Sequence, residues 1–569
     1  MNLLSLVNNS IFVTGIFFAG SLISIIYIPI KNIRIRLILT NNWKWLLLFL
    51  IVNLIFKFPL NLEFFHGLEY EDSYIYKATA RFLFENNDAF YQLGRSYLTN
   101  SCIFGDLESC YQTGTYSGHL IGYPFIIAIL HLISGYHPNT SNILSLLFSS
   151  VAIIPMFIIA SLIEEKKGYG LACCFVFITI PIFNVFSSTS LVELTSNFYS
   201  CYTLLLYFSY IHLSKEPLNS RISQYIINWI LLFFIFGFTI LIKRENIILL
   251  LILPIITILH IYLSKDEEES KIIKKQLIMM LPIILILILF YLINMDIINT
   301  VYAEEQEIGQ KPFSLSYILD LGPLFINSLF NLNWYLLYSV FFMLGIVYFN
   351  RKSYIIYPFI LFLAYLLLYT THYRSYYYIK FGDVSNFDTT RYIMANISLY
   401  SLVSGIGIYY VIKYIFRHLS RSKYFFFATK AICYLLIILV AAMSLKLTYS
   451  IREMLIEEEN SYRIDPVKNV LKNFPDPETI FITSTPLLFQ IYGEPNTQIV
   501  DFYTIGTLIP ISDINNLIEA NNKIIMIENE DDINPADLDR YRVAFNYINS
   551  KKRELSYVGN RYKVFRIIN

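Results

Sequence analysis

The chain has 569 residues, of which 56% are hydrophobic and only 15% charged. Soluble domains carry about 25% charged residues, so this composition excludes a water-soluble globular protein. A formal net charge of +1 leaves no electrostatic footprint for nucleic acid, which is not expected as a partner.

The first 30 residues lack a basic n-region and a small-residue cleavage site, so they read as a spanning helix and not as a cleaved signal peptide. Crossing the hydrocarbon takes about 20 mostly apolar residues. Apolar segments of that kind fall at 11–30, 44–60, 119–135, 141–162, 170–187, 192–212, 225–242, 246–262, 277–293, 328–349, 354–370, 393–412 and 424–447. The positive-inside rule decides which of them cross. If 119–135 does not, every loop assigned to the inside is basic: Lys31, Arg34 and Arg36; Lys166 and Lys167; Lys215 and Arg221; Lys265 to Lys275; Arg351 and Lys352; Lys413 to Lys423. If it does cross, the later basic loops fall outside. Pro124, with Gly118, Gly122 and Gly135 at the flanks, fits a helix lying at the interface. The expected architecture is an α-helical polytopic membrane protein with about 12 spanning helices, one long outer loop over 61–140, and both termini outside.

The character of the chain changes after residue 449. Short apolar runs at Thr479–Thr483, Gln498–Phe502 and Lys523–Glu528 alternate with helix-like stretches, and Leu555–Val558 and Tyr562–Ile568 flank Gly559–Asn560 as a hairpin. A soluble α/β domain is therefore expected over 450–569, behind a membrane domain over 1–449. No motif in it carries chemistry. Cys173, Cys174, Cys201 and Cys433 lie in apolar runs as small hydrophobes. Cys102 and Cys110 stand apart in the outer loop, where an oxidising compartment allows them a disulfide.

Charged groups at a membrane boundary are costly to desolvate and mark function. On the expected outer side stand Glu69, Glu71 and Asp72; Glu193; Lys243, Arg244 and Glu245; Glu304, Glu305 and Glu307; and Arg374, Lys380, Asp383, Asp388 and Arg391. This mixture suits transfer of a sugar from a lipid-linked donor. Cations neutralise the leaving phosphate, and a carboxylate takes the acceptor's proton or holds a divalent cation.

Asp72-Ser73-Tyr74-Ile75-Tyr76, followed by Ala80-Arg81, resembles the first outer-loop motif of the GT-C glycosyltransferases, among them the protein O-mannosyltransferases and lipid A aminoarabinose transferases. Gly118-His119-Leu120-Ile121-Gly122-Tyr123-Pro124 is similar to the opening of that family's loop helix. Ile242-Lys243-Arg244-Glu245-Asn246 resembles its basic turn near the donor phosphate, and Arg391-Tyr392 its late Arg-Tyr element. The resemblance implies a GT-C-like bundle and an inverting transferase that uses a polyprenyl-phosphate sugar, with a glycan, lipid or protein as acceptor and membrane lipid around it. It makes Asp72 the catalytic or metal-assisting carboxylate. Ser73 stands where many relatives carry a second acid, which leaves Glu71 or no residue for that role. Lys243, Arg244, Arg391 and Arg374 are expected on the donor phosphate, and Glu193, His119 and Tyr76 on substrate. A divalent cation, Mg or Mn, is an open cofactor. The AT-rich character of the composition points to a prokaryotic plasma membrane. A lipid-linked-sugar flippase, an inactive scaffold of the same fold and an oligosaccharyltransferase are the rival readings.

Overall fold

The computed structural model describes residues 3–58, 71–86, 121–163, 167–213, 222–263, 267–293, 314–347, 353–372, 387–419, 423–459 and 464–476. Beyond these it describes 479–483, 485–494, 497–501, 511, 515, 523–529, 546–547, 550–558 and 562–567. Among the described residues six helices are long and apolar enough to cross a membrane, Phe12–Lys31, Ile33–Lys57, Thr140–Ile163, Arg244–Tyr262, Ile397–His418 and Phe426–Glu453. Shorter apolar helices lie between them. The chain is an integral membrane protein.

Helices α1 (Leu3–Lys31) and α2 (Ile33–Lys57) meet at Asn32, whose side chain accepts from the amides of Arg34 and Ile35 at 3.0 and 3.1 Å and caps α2. The segment over 61–140 contributes α3 (Glu71–Asn86) and α4 (Gly122–Ser134). With 13 residues α4 spans about 20 Å, short of the ~30 Å hydrocarbon core.

Two segments that read as single helices are irregular near a proline, the first by a one-residue turn within a continuous span and the second by a break. Residues 141–162 form α5 (Thr140–Val151) and α6 (Ile153–Ile163), which meet at Ala152 close to Pro155. Residues 170–187 form α7 (Lys167–Ile178) and α8 (Pro181–Phe186). Proline removes a ladder donor and biases the residue before it out of the helical region; Ile180 is extended. The segment expected over 328–349 is also interrupted. Helix α13 (Tyr317–Leu329) ends before a short turn, α14 (Leu332–Tyr335), and α15 (Tyr338–Val347) resumes after Leu336, whose φ is +54°.

Between these lie α9 (Val192–Leu213), α10 (Ile222–Ile242), α11 (Ile247–Leu263), α12 (Glu267–Ile293), α16 (Ile356–Thr371), α17 (Phe387–Met394), α18 (Ile397–Leu419) and α19 (Lys423–Glu459). Helix α9 runs through the middle of the bundle: Thr195, Ser196, Asn197 and Thr203 are as buried as Leu194 and Leu204. Its hydroxyls bond across helices, Thr203 to Thr239 at 2.9 Å, which relieves the cost of buried polar groups.

The C-terminal region holds α20 (Asp465–Asn473), α21 (Pro486–Tyr492) and a five-stranded sheet in the order β2-β1-β3-β5-β4. Its strands are β1 (Ile480–Thr483), β2 (Gln498–Asp501), β3 (Ile524–Asn529), β4 (Arg553–Val558) and β5 (Tyr562–Ile567). The first three are parallel; β4 and β5 form the expected antiparallel hairpin.

Helix α3 joins the two layers. Tyr74 and Ala78 share a core with Ile464, Leu488, Phe489 and Val564 of the C-terminal region. Tyr76 and Ala80 belong to the core of the membrane bundle. Residues four apart lie on one helix face, so α3 presents one apolar face to each layer.

Candidate active site

At the N-terminus of α9, Glu193 is 1% exposed, and its carboxylate benefits from the positive end of the helix dipole. Its Oε1 accepts from Lys243 Nζ at 3.0 Å and from Arg391 Nε at 3.2 Å. The other oxygen, Oε2, is buried and has no hydrogen-bond partner among the described residues. Lys243 sits in the turn between α10 and α11, Arg391 on the short helix α17. The Lys243 ammonium lies 5.4 Å from the Tyr369 ring centre and 5.7 Å from that of Tyr392, positions that suit a cation over an aromatic face. Arg244 and Glu245 occupy the same 3-10 turn (Arg244–Asn246), both half-buried.

Asn246 fixes the floor under this cluster. Its Nδ2 donates to Thr239 O at 2.8 Å, and its Oδ1 accepts from Tyr365 Oη at 2.9 Å, Ser196 Oγ at 3.1 Å and Ser200 Oγ at 3.2 Å. The turn is thus tied to α9, α10 and α16, which holds Lys243 in place.

The loop-helix motif meets the same turn. A Cβ on Gly122 would stand 2.5 Å from Leu241 O, so only glycine lets α4 close on the end of α10 next to Lys243. Tyr123 beside it packs edge-on against Tyr76, with ring centres 5.2 Å apart, and its hydroxyl lies 3.1 Å from Ser145 Oγ. Tyr76 is therefore a buried contact between α3 and α4.

Arg81, the last residue of the outer-loop motif, works at the other side of α3. Its guanidinium donates to the carbonyls of Gln490 and Gly493, the latter at 2.7 Å, and pairs with Glu85 at 2.7 Å. It lies 4.4 Å from the centre of the Tyr136 ring, and the Tyr136 hydroxyl donates to Ile491 O at 2.5 Å. Two side chains thus satisfy the orphan carbonyls at the C-terminus of α21. Arg81 is the clamp between α3 and the C-terminal domain.

The structure brings together Glu193, Lys243 and Arg391; Arg244 shares the turn of Lys243, and Tyr76 packs on Tyr123 of α4, next to the Gly122 that meets the end of α10. Glu71 and Asp72 form the first turn of α3; their side chains lie outside the described residues, as do His119, Arg374, Cys102 and Cys110. Glu245 stood among the charges expected on the outer side, with no role assigned to it; sequence reasoning missed Asn246 and Tyr369 as members of the cluster, and Tyr136 beside Arg81. Asn246 closes the basic-turn motif, so its neighbourhood was a signal; Tyr369 is one of 46 tyrosines and had none. Among the described residues no three His, Cys, Asp or Glu side chains come together as metal ligands. Glu193 faces two cations, an arrangement that repels a divalent ion.

No protein-family model and no curated protein sequence matches the chain. Solved structures do. ArnT from Cupriavidus metallidurans in the apo state aligns with a TM-score of 0.54 at 11% identity, over 92% of this chain and 98% of that one. The same protein bound to undecaprenyl phosphate gives 0.53 at 10% identity, again over 92% and 98%. The oligosaccharyltransferase of Archaeoglobus fulgidus, in complex with Zn and sulfate, gives 0.50 at 12% identity over 92% of this chain and 73% of that one. At these identities the likeness is one of fold, and it runs from the bundle through the C-terminal sheet. The chain has the GT-C fold that its outer-loop motifs resemble.

Proposed function

We propose that the protein is a glycosyltransferase that moves a sugar from a polyprenyl-phosphate donor to an acceptor hydroxyl. The observation that carries this reading is the convergence of Lys243 and Arg391 on a single oxygen of buried Glu193. Cations held by a movable side chain, next to a fixed polar floor, can exchange that partner for a phosphate. The same fold in ArnT accommodates undecaprenyl phosphate, which supports a lipid-linked donor here.

In this reading Lys243, Arg244, Arg391 and Arg374 hold the donor phosphate. The bond from the sugar's anomeric carbon to the phosphate oxygen breaks, and one further negative charge develops on the leaving phosphate, where fixed cations stabilise it most. The acceptor oxygen forms the new bond on the opposite face of the sugar and gives its proton to Asp72, supported by Glu71. A divalent cation, if one takes part, sits with Asp72 and not with Glu193. Glu193 swings off the cations as the phosphate arrives, and its carboxylate takes a hydroxyl of the incoming substrate. Tyr76 and His119 shape the entrance from the outer loop. The loop over 61–140 and the C-terminal domain face the outside of a prokaryotic plasma membrane.

The test is sugar release from a panel of polyprenyl-phosphate sugars by purified protein in nanodiscs, beside Asp72→Asn. Turnover that is lost in Asp72→Asn, with donor binding kept, supports the assignment and names the donor. An unaffected mutant removes Asp72 from the mechanism, and no turnover on any donor removes the transferase reading.

A further inference from the structure

A cavity of about 220 Å³ opens in the C-terminal domain, between the end of α20 and the end of α21. Phe474 and Tyr492, both half-exposed, stand in its walls with buried Phe481 behind them. Asp476, Glu494 and Thr497 supply the polar groups, and among the described residues no Lys or Arg lines it. Asp476 is ion-paired with Lys523, and Lys468 lies 4.9 Å from the Tyr492 ring centre. The two nearby cations are therefore already engaged.

This lining is selective by its chemistry. Two carboxylates, one of them paired with Lys523, and no Lys or Arg among the described lining residues disfavour a phosphate, so the donor's charged group belongs with Lys243 and Arg391 and not here. Half-exposed aromatic rings beside oxygen acceptors suit a ligand that is apolar on its ring faces and rich in O–H donors on its rim. A pyranose ring has that character, and the volume is below the ~300 Å³ at which drug-sized pockets begin, which limits the occupant to about one ring.

The cavity is also tied to α3. Tyr492, Gly493 and Glu494 line it, while the carbonyl of Gly493 accepts from Arg81 on α3. A Cβ on Gly493 would lie 2.6 Å from both Phe489 O and Thr497 Oγ1, so the chain passes here with no space to spare. Arg81 follows Asp72 by nine residues, about 13 Å along α3 at 1.5 Å per residue. A chain of sugar units with one ring in the cavity would have this distance to cover along α3 to reach Asp72.

We infer that this cavity is an acceptor subsite which seats one sugar ring of a glycan acceptor, next to the helix that carries the proposed catalytic carboxylate. The assignment deepens the transferase reading and rests on it for the word acceptor; the sugar site itself does not depend on it. The full-length protein in nanodiscs is titrated with methyl glycosides of neutral hexoses and N-acetylhexosamines, read by saturation-transfer NMR, beside Phe474→Ala and Glu494→Gln. Binding by the wild type, weakened about tenfold in Phe474→Ala and reduced in Glu494→Gln, supports the site. No glycoside signal on the wild type, or binding that neither variant weakens, overturns it. Donor hydrolysis to water is followed in parallel. If it is unchanged in both variants while the acceptor KM rises, the acceptor role stands. If the protein hydrolyses no donor yet binds glycosides at Phe474, the transferase reading fails and the sugar site survives. A KM that stays level for glycan acceptors while it rises for a peptide or a lipid alcohol overturns the sugar assignment in favour of that acceptor.

Discussion

Two pairs of largely buried cations lie in the membrane bundle, and they are satisfied in opposite ways. Lys243 and Arg391 share the side-chain carboxylate of Glu193, which keeps its second oxygen unpartnered among the described residues. Lys57 and Arg452 have no carboxylate at all among the described residues. Lys57 Nζ donates to Ser149 O at 2.6 Å and lies 4.2 and 4.6 Å from the ring centres of Phe183 and Phe177. Arg452 Nη2 donates to Asn184 O at 2.7 Å and to Lys57 O at 3.0 Å. These two carbonyls belong to the last turns of α8 and α2, the negative ends of their helix dipoles. A backbone carbonyl cannot swing away, so Arg452 acts as a fixed clamp that joins α19 to α2 and α8. A carboxylate on two or three rotatable bonds can move. The difference separates a cation that holds the fold from a cation that can change partners.

The largest effect that would break this comparison is on stability. Arg452→Ala leaves two helix-end carbonyls buried without their donor and a void where a long side chain lay. It should cost about 3 kcal/mol, seen as a large fall in the detergent unfolding midpoint, and Arg452→Lys should not restore it because one ammonium cannot reproduce the fork. A midpoint within a degree of wild type would mean that the clamp carries nothing. Glu193→Gln tests the other pair with a smaller and opposite effect. It keeps shape but removes the charge that competes with a phosphate, so polyprenyl phosphate should bind about tenfold tighter, roughly 1.4 kcal/mol. Weaker binding in Glu193→Gln would assign Glu193 to the fold and leave both cation pairs structural.

The asymmetry between these pairs explains what the sequence disclosed. Glu193, Lys243 and Arg391 were visible as charges on one side of the expected topology, because charge at a membrane boundary is rare. Their meeting on a single oxygen was not, since residues 50 and 198 positions apart carry no register in one dimension. Arg452 escaped notice altogether: hydropathy ends the last apolar segment at 447, while the helix continues to Glu459. Lys57 was swallowed by the apolar run 44–60. The five strands were legible from apolar runs and a Gly-Asn turn. The double role of α3 was not, because Tyr74 and Tyr76 look alike as letters, and only the fold sends one to the sheet domain and the other to the bundle.

A third buried group sharpens the comparison, for here the charge is refused outright. His131 on α4 is 2% exposed, its ring 4.9 Å from that of Tyr136 and 5.7 Å from that of Phe84. Burial brings its pKa down to about 4; the nearby charges of Arg81 and His137 add to the shift, and a hydrogen bond with the Gly135 backbone opposes it. The folded value lies below the ordinary 6.5 of a free imidazole, so the unfolded chain takes up a proton first. Stability from this group is complete above about pH 6.5 and drains away as pH falls toward about 4. The junction it supports is the one that Arg81 and Tyr136 make with α21. Acidification from pH 7 to 5 should therefore expose the C-terminal domain modestly to protease and lower the unfolding midpoint by a few degrees at most. His131→Phe keeps the packed ring and removes the titration, so its midpoint should stay level over that interval. An equal slope in the mutant and the wild type would place the pH sensitivity elsewhere and leave α4 a purely apolar support.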